Sequence, residues 1–259
     1  MNILFIAYKY LQHLLQSKNT KGHGIHSPYL YRFSQNVIYE KNPFYTFPKI
    51  ETLRRKLKFD NRTVAIKDFG TGKDRVEKVR DVAFKSLSQK KEAQLLFRLM
   101  CFLKAKDVLE LGTSLGITTS YLASSSPKVR CISLEGSEEI AKIAIENFQT
   151  LGLQNVDLIV GNIDDTLQAV LQKMDKPDVV FFDANHNMKA TLQYFNQCVE
   201  HIEQKTVFII DDIHRSNDME DAWNEIKRHP KVTATFDLFQ LGIVFFNRNF
   251  PRKTYKMRF

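Results

Sequence analysis

The chain has 259 residues, of which 43% are hydrophobic, and its 20 Phe and 9 Tyr are ample for a well-buried core. Its three cysteines (Cys101, Cys131 and Cys198) form no CxxC or Cys/His metal spacing, which argues against both disulfides and structural zinc. The net charge is +9. From the cysteine usage we expect a reduced, cytoplasmic chain.

The charge is unevenly distributed along the chain. Residues 1–104 carry 21 Lys/Arg and 8 Asp/Glu, a net charge of +13, whereas residues 105–249 carry 13 and 21, a net charge of −8. The tail at 250–259 has four basic residues and no acidic one. We therefore predict a basic N-terminal extension (1–104), a main domain (105–249) and a basic tail. A merely solvated surface charge explains the asymmetry equally well.

The N-terminal extension has mainly helical patterns. Residues 3–15 form an apolar-rich helical pattern that is too short to span a bilayer, and no cleavage site of a signal peptide follows it. This helix could lie on a membrane surface, but packing on its own domain is the favoured interpretation. Residues 50–104 alternate basic helical signals with one short strand-like run.

From residue 106 onward, short apolar runs alternate with helical patterns. The strand-like runs are 107–111, 129–135, 156–161, 178–183, 206–212, 232–238 and 241–247. Helical patterns follow the first five runs, at 117–125, 137–151, 164–173, 189–203 and 217–228. The last two runs are joined too closely for a crossover helix. We predict an α/β fold: a Rossmann-like, doubly wound, mostly parallel seven-stranded sheet that ends in an antiparallel hairpin.

Two glycine-containing loops compete as a cofactor site. The segment 66–75, IKDFGTGKDR, is followed by a charged, helical pattern and by no strand that ends in an acid. The segment 107–123, DVLELGTSLGITTSYLA, places Glu110 at the end of a strand, and Glu135 ends the next strand. An acid there can accept the ribose hydroxyls of a nucleotide. We predict the cofactor at the later loop. For the Asp68–Gly72 loop we predict a turn, with a place at the substrate entrance as the alternative.

The Glu-x-Gly-x-x-x-Gly motif at 110–116, with the acid at 135, resembles class I S-adenosylmethionine-dependent methyltransferases. Over 106–247 the chain is most similar to the metal-dependent O-methyltransferases, the group of catechol, caffeoyl-CoA and macrolide-sugar enzymes. The resemblance covers about 140 of the 259 residues. It implies that S-adenosylmethionine is the cofactor.

The resemblance also implies which residues bind the cofactor. Glu110 and the loop glycines would line the methionine end, Glu135 would bind the ribose, and Asn162 would reach the adenine. A plain turn at the strand end is an equally good interpretation of Asn162. The full expected set is Glu110, Gly112, Thr113, Ser114, Gly116, Glu135, Gly136, Ser137, Asn162, Ile163 and Asp183.

Three aspartates end the next two strands. Asp183, Asp211 and Asp212 would converge at one rim of the sheet, where carboxylates repel each other unless a cation such as Mg²⁺ lies between them. In the resembled family this metal binds the acceptor hydroxyl, and a base three residues after the first metal Asp removes its proton. That position is His186, so Asp183 and His186 are the expected catalytic pair. Since the family usually has Asp-Asn at the second metal site, one Asp could serve another purpose, and His214 is an alternative base or ligand.

The sequence therefore predicts a methyltransferase that methylates a hydroxyl of a small molecule with help from a divalent metal. Two alternatives stay open: an RNA methyltransferase that uses the basic region, and a non-catalytic cofactor-binding protein. The +13 region suits nucleic acid, an anionic membrane surface or a negatively charged substrate. No RNA-binding motif is present, and a substrate cap is the most economical role for residues 1–104. Neither the acceptor nor the oligomeric state follows from the sequence.

Overall fold

The computed structural model describes residues 3–67, 69, 72, 74–174 and 176–259. The helices are α1 (Ile3–Gln16), α2 (Pro28–Phe33), α3 (Phe47–Leu57), α4 (Val79–Ser86), α5 (Lys90–Leu103), α6 (Ile117–Ala123), α7 (Glu138–Leu151), α8 (Ile163–Met174), α9 (Met188–Cys198) and α10 (Asn217–Arg228). The strands are β1 (Thr63–Ile66), β2 (Arg75–Lys78), β3 (Asp107–Leu111), β4 (Arg130–Glu135), β5 (Val156–Val160), β6 (Val179–Phe182), β7 (Val207–Ile210), β8 (Ala234–Asp237), β9 (Gly242–Phe245) and β10 (Lys253–Lys256). Within the described ranges, no helix has the length and apolar character that crossing a membrane requires.

The main sheet has eight strands and is mostly parallel, with the predicted antiparallel hairpin at β8 and β9. The predicted number of seven strands is wrong by one edge strand, β10, which lies in the segment interpreted as a basic tail. β10 pairs in parallel with β8 from Lys253 opposite Ala234 to Lys256 opposite Asp237. Its sequence, KTYK, has a single apolar residue, so no periodicity indicates a strand. Tyr255 is nevertheless only 1% exposed and holds the strand to the core.

The chain forms two compact units. The first unit is Lys41–Met174, and the second unit combines Met1–Glu40 with Asp175–Phe259. The charge pattern suggests boundaries after residues 104 and 249. The division into an extension, a main domain and a tail at these boundaries stays a prediction.

In the first unit, β4 lies between β3 and β5, and both pairings are parallel. Helix α7 follows β4 and buries the face that carries Ile140, Ala144 and Phe148. Its C-terminus ends at Gly152, whose φ of +71° is a left-handed conformation that glycine adopts without strain. The alternation of short strands with amphipathic helices thus gives the parallel pairing that the sequence predicts.

The segment around the earlier glycine loop forms a hairpin rather than a strand followed only by helices. β1 and β2 pair antiparallel from Thr63 opposite Lys78 to Ile66 opposite Arg75. Only one strand was predicted here, because the charged residues of β2 continue the pattern of α4 and leave Val76 exposed. Of the predicted Asp68–Gly72 turn, Phe69 and Gly72 are described, and the other three positions lie outside the described residues.

In the second unit, β6 and β7 are parallel, and β9 pairs antiparallel with both β7 and β8. Helix α1 belongs to this unit. The ring of Tyr10 packs edge-on against Phe239, with centroids 5.0 Å apart. The other side of the helix is open, since Leu11 is 60% and Leu15 83% exposed. Contact of this helix with a membrane surface stays a prediction.

Candidate functional site

The later glycine loop connects β3 to α6 through three residues with positive φ. These are Gly112 at +100°, Ser114 at +48° and Gly116 at +75°. The amides of Gly112 and Thr113 both donate to the Leu134 carbonyl oxygen, at 3.0 and 3.1 Å, and this joins the loop to the end of β4. A β-carbon on Gly116 would lie 2.6 Å from the Phe148 ring. Gly116 is therefore required by close packing against α7.

The Glu135 carboxylate lies at the end of β4 and binds the loop directly. Its Oε2 accepts the Ser114 amide at 2.8 Å, and its Oε1 accepts the Ser137 amide at 2.9 Å. Burial raises the pKa of the Glu135 carboxyl, and the backbone amides around it oppose that rise. Backbone amides thus orient the carboxylate at the strand end where the resemblance places the ribose. The site therefore fits the cofactor that the resemblance implies.

Glu110 lies beneath the loop, with no exposed surface. Its Oε2 accepts the hydroxyls of Ser133, at 2.6 Å, and Thr119. Its Oε1 is buried and makes no hydrogen bond with the described residues. Burial raises the pKa of this carboxyl to about 7. Glu110 thus joins the end of β3 to β4 and α6 through these hydroxyl contacts.

A contact that the sequence does not indicate joins the β1–β2 hairpin to the end of β4. A β-carbon on Gly136 would lie 2.7 Å from the Phe69 ring, so the absence of a side chain admits this aromatic ring. Ser137, the N-cap residue of α7, uses its hydroxyl to donate to the Ala65 carbonyl at 3.3 Å instead of capping the helix. The earlier glycine loop therefore begins beside Gly136 and Ser137, two residues of the expected cofactor-binding set.

Asn162 begins α8. Its Oδ1 accepts the Asp164 amide at 3.3 Å, and its carbonyl accepts the Asp165 amide at 3.0 Å. These are the contacts of a residue that starts a helix. Ile163 is only 6% exposed. The hydrogen bonds that the structure describes for Asn162 are therefore those of a turn at the strand end.

In the second unit, the predicted acidic residues follow β6 and β7. His186 lies between two carboxylates: its Nε2 is 3.5 Å from Asp183 Oδ1 and its Nδ1 is 3.7 Å from Asp212 Oδ2. Burial lowers the pKa of His186, Asp212 opposes this and Arg215 adds to it. A neutral ring near neutral pH follows, and the neutral ring is the form that accepts a proton.

Asp211 and Asp212 differ in their surroundings. Asp212 has a φ of +56°, and its amide donates to Asp211 Oδ1 at 2.9 Å. Arg215 binds Asp212 Oδ2 at 2.8 Å, and Gln240 approaches Oδ1 at 3.5 Å. The carboxylate oxygens are a donor set that suits Mg²⁺, but the guanidinium already neutralises Asp212. A cation bound here would therefore compete with Arg215 for Asp212.

His214 is turned away from this group of residues. Its side chain is 8% exposed, and its ring nitrogens lie near Asp237 and Glu220. The interpretation of His214 as an alternative base therefore has no support from its contacts.

Comparison with known proteins shows similarity to methyltransferases over part of the chain. Residues 109–213 match the family described as a methyltransferase domain. The chain is 30% identical over 117 residues to the O-methyltransferase imqG of Aspergillus flavus, which covers 43% of this chain and 47% of that protein. It is 32% identical over 133 residues to a catechol O-methyltransferase of Niastella koreensis, covering 50% and 58%. It is 33% identical over 81 residues to a tRNA (guanine-N(7)-)-methyltransferase of Mycoplasma mobile, covering 31% and 40%.

The chain thus spans about half the length of the curated relatives it matches. Among solved structures, the chain resembles an O-methyltransferase from Bacillus cereus in complex with SAH, with a TM-score of 0.58 and 20% sequence identity. The match covers 83% of this chain and 96% of that one. At this identity the similarity shows the fold.

Proposed function

Since the chain carries a methyltransferase domain of the class I, S-adenosylmethionine-dependent type, we propose that it transfers a methyl group from S-adenosylmethionine to a hydroxyl of a small molecule. The observation that carries the choice of a hydroxyl is His186, a neutral imidazole that lies between the carboxylates of Asp183 and Asp212. The test is the formation of a methyl ether from a hydroxylated acceptor.

The cofactor side of the proposal rests on Glu135 and the loop. Its carboxylate is held in place by the Ser114 and Ser137 amides, so it is oriented before a nucleotide arrives. A preoriented acceptor loses little freedom when it binds the ribose hydroxyls. Phe69 packs on Gly136 and supplies an apolar surface beside this position. S-adenosylmethionine, when bound, supplies an electrophilic methyl group.

The acceptor side of the proposal rests on His186. A hydroxyl attacks a methyl group far better as it loses its proton, and His186 would accept that proton on a ring nitrogen. Asp183, 3.5 Å from Nε2, would then stabilise the resulting imidazolium. Arg215, which binds Asp212, lowers the pKa of the ring and so opposes the effect of that second carboxylate.

A divalent cation such as Mg²⁺ would be held by Asp183, Asp211 and Asp212, and when bound it would stabilise the acceptor alkoxide.

We expect Asp183→Asn to abolish methyl transfer while S-adenosylmethionine affinity stays close to wild type, because the Asp183 side chain contacts His186, the proposed base. Steady-state kinetics and calorimetry measure the two quantities.

The matched control is Asp221→Asn, which removes one exposed charge from α10. In the wild-type enzyme, removal of divalent cations with a chelator should stop turnover, and added Mg²⁺ should restore it. Full activity in both the Asp183 variant and the chelated enzyme would contradict a metal at this position.

Glu135→Ala should weaken S-adenosylmethionine binding by about 1–3 kcal/mol, because hydrogen-bond donors to a buried carboxylate lose their partner. Isothermal titration calorimetry measures the change. Glu138→Ala, which removes an exposed carboxylate from the first turn of α7, is the control and should keep wild-type affinity. The reverse order of affinities would place the ribose elsewhere.

The RNA alternative draws on the basic residues of the first 104 positions. It predicts retention on RNA that weakens steeply as salt rises, because binding would release counterions. The small-molecule proposal predicts no such retention and methyl transfer that RNA does not stimulate. The substrate-cap role of residues 1–104 belongs to the small-molecule proposal.

A further inference from the structure

A second group of potential ligands lies inside the second unit, separate from the acidic residues described above. His13 on α1, His214 after β7 and Asp237 at the end of β8 are 3%, 7% and 1% exposed. His13 Nδ1 lies 3.3 Å from Asp237 Oδ1, and His214 Nε2 lies 3.1 Å from Asp237 Oδ2. One potential ligand atom from each of the three residues lies within 4.8 Å of the others.

The hydrogen bonds of His13 leave one ring nitrogen without a partner. Its Nε2 lies 2.9 Å from the Met257 carbonyl oxygen, which only accepts, so Nε2 carries a hydrogen. In a neutral ring Nδ1 is then a bare lone pair. That atom is buried, makes no hydrogen bond with any residue that the structure describes, and lies 3.3 Å from Asp237 Oδ1. Two lone pairs that face each other in a buried site require a positive charge between them.

The outer nitrogen of His214 also faces an oxygen acceptor. Its Nδ1 lies 3.4 Å from Glu220 Oε1, while Glu220 Oε2 binds Lys9 at 2.6 Å. Histidines that ligate a metal through one nitrogen almost always direct the other towards a carboxylate or a backbone carbonyl. Both histidines of this group have that arrangement.

The surroundings hold the three residues in place. Phe239 stacks on His214 with centroids 5.4 Å apart and meets His13 edge-on at 5.5 Å. Its φ of +76° is costly for a residue with a large side chain, and its amide donates to Asp237 Oδ1 at 3.1 Å. Lys256 Nζ lies 3.9 Å from Asp237 Oδ2, which is beyond hydrogen-bond distance.

We propose that His13 Nδ1, His214 Nε2 and the Asp237 carboxylate bind one zinc ion. Zinc takes imidazole nitrogens and carboxylate oxygens at roughly 2.0–2.2 Å in a tetrahedron, whose ligand atoms are then ~3.3 Å apart. His13 Nδ1 and His214 Nε2 each lie 3.3 Å from Asp237 Oδ1, which matches that spacing. Three protein ligands leave one position for water. The ion would tie α1 to β8 within the second unit, independently of the methyl-transfer proposal.

The test is zinc titration of the full chain after dialysis against a chelator. Wild type should bind one zinc ion per chain near neutral pH, and its unfolding temperature should rise on binding, because the ion binds only the folded form. Asp183→Asn should bind zinc equally well, which separates this site from the acidic residues. His13→Gln, whose amide can still donate to Met257, should lose at least about 100-fold in zinc affinity.

Cobalt supplies a readout that needs no variant. Co²⁺ in wild type should give the intense visible bands of a tetrahedral site, and zinc should displace them stoichiometrically. No zinc binding by wild type, binding that persists in a folded His13→Gln chain, or the weak bands of octahedral cobalt would each overturn the site. The positive charge beside His13 would then be a proton.

Discussion

Replacing His186 with alanine should lower the turnover number about 10²–10⁴-fold, the usual contribution of a positioned general base. The expected cause is loss of the only group in the Asp183–His186–Asp212 arrangement that is a neutral proton acceptor near neutral pH. S-adenosylmethionine affinity should stay at the wild-type value, because Glu135 and the loop are untouched. Turnover is measured as S-adenosylhomocysteine formed with a saturating hydroxylated acceptor.

The control for this variant is His26→Ala, which removes an exposed histidine. His186→Gln separates the loss of the base from the loss of ring packing, and it should be as inactive as the alanine variant. A His186→Ala enzyme with wild-type turnover would mean that the hydroxyl loses its proton to another group or to water.

Glu110 should make the protein less stable as pH rises through the mildly acidic range. Its carboxyl has an ordinary pKa of 4.5, which burial raises to about 7 in the folded chain. The folded form therefore binds the proton more tightly. The stabilisation is fully present below about pH 4.5 and is lost as pH rises to about 7, by about 3 kcal/mol in total.

Glu110→Gln, which stays neutral, should not show this loss. Urea unfolding of both proteins across the pH range measures it, because every other titrating group is shared and cancels in the difference. The variant should gain about 3 kcal/mol relative to wild type between pH 4.5 and 7. The exposed Glu138→Gln is the control. A constant difference between Glu110→Gln and wild type would mean that folding does not change the pKa of Glu110.

Most of the fold could be predicted from periodicity. The main runs of apolar residues became strands within a few residues of their predicted bounds, since a buried parallel strand needs a nearly continuous apolar sequence. The helix from Ser137 was predicted from its N-cap type and first-turn acids, and it forms, although the Ser137 hydroxyl donates to the Ala65 carbonyl.

What the sequence does not indicate are contacts between distant segments. β10 is held by one buried tyrosine, and β2 by pairing with β1, so neither has a pattern of its own. The packing of Phe69 on Gly136 joins positions that are 67 residues apart in the sequence. The His13–Asp237 pair spans 224 residues. The spacing of the cysteines could not indicate the proposed zinc site, because its ligands are two histidines and an aspartate.

The most direct test of hydroxyl methylation uses methyl-labelled S-adenosylmethionine and a cell extract separated into small molecules, RNA and protein. Label should enter the small-molecule fraction as a methyl ether, with wild type but not with His186→Ala. Prior acetylation of the hydroxyls in that fraction should prevent the transfer. Label that enters RNA alone, or no transfer to any fraction by a protein that binds S-adenosylmethionine, would contradict the proposed function.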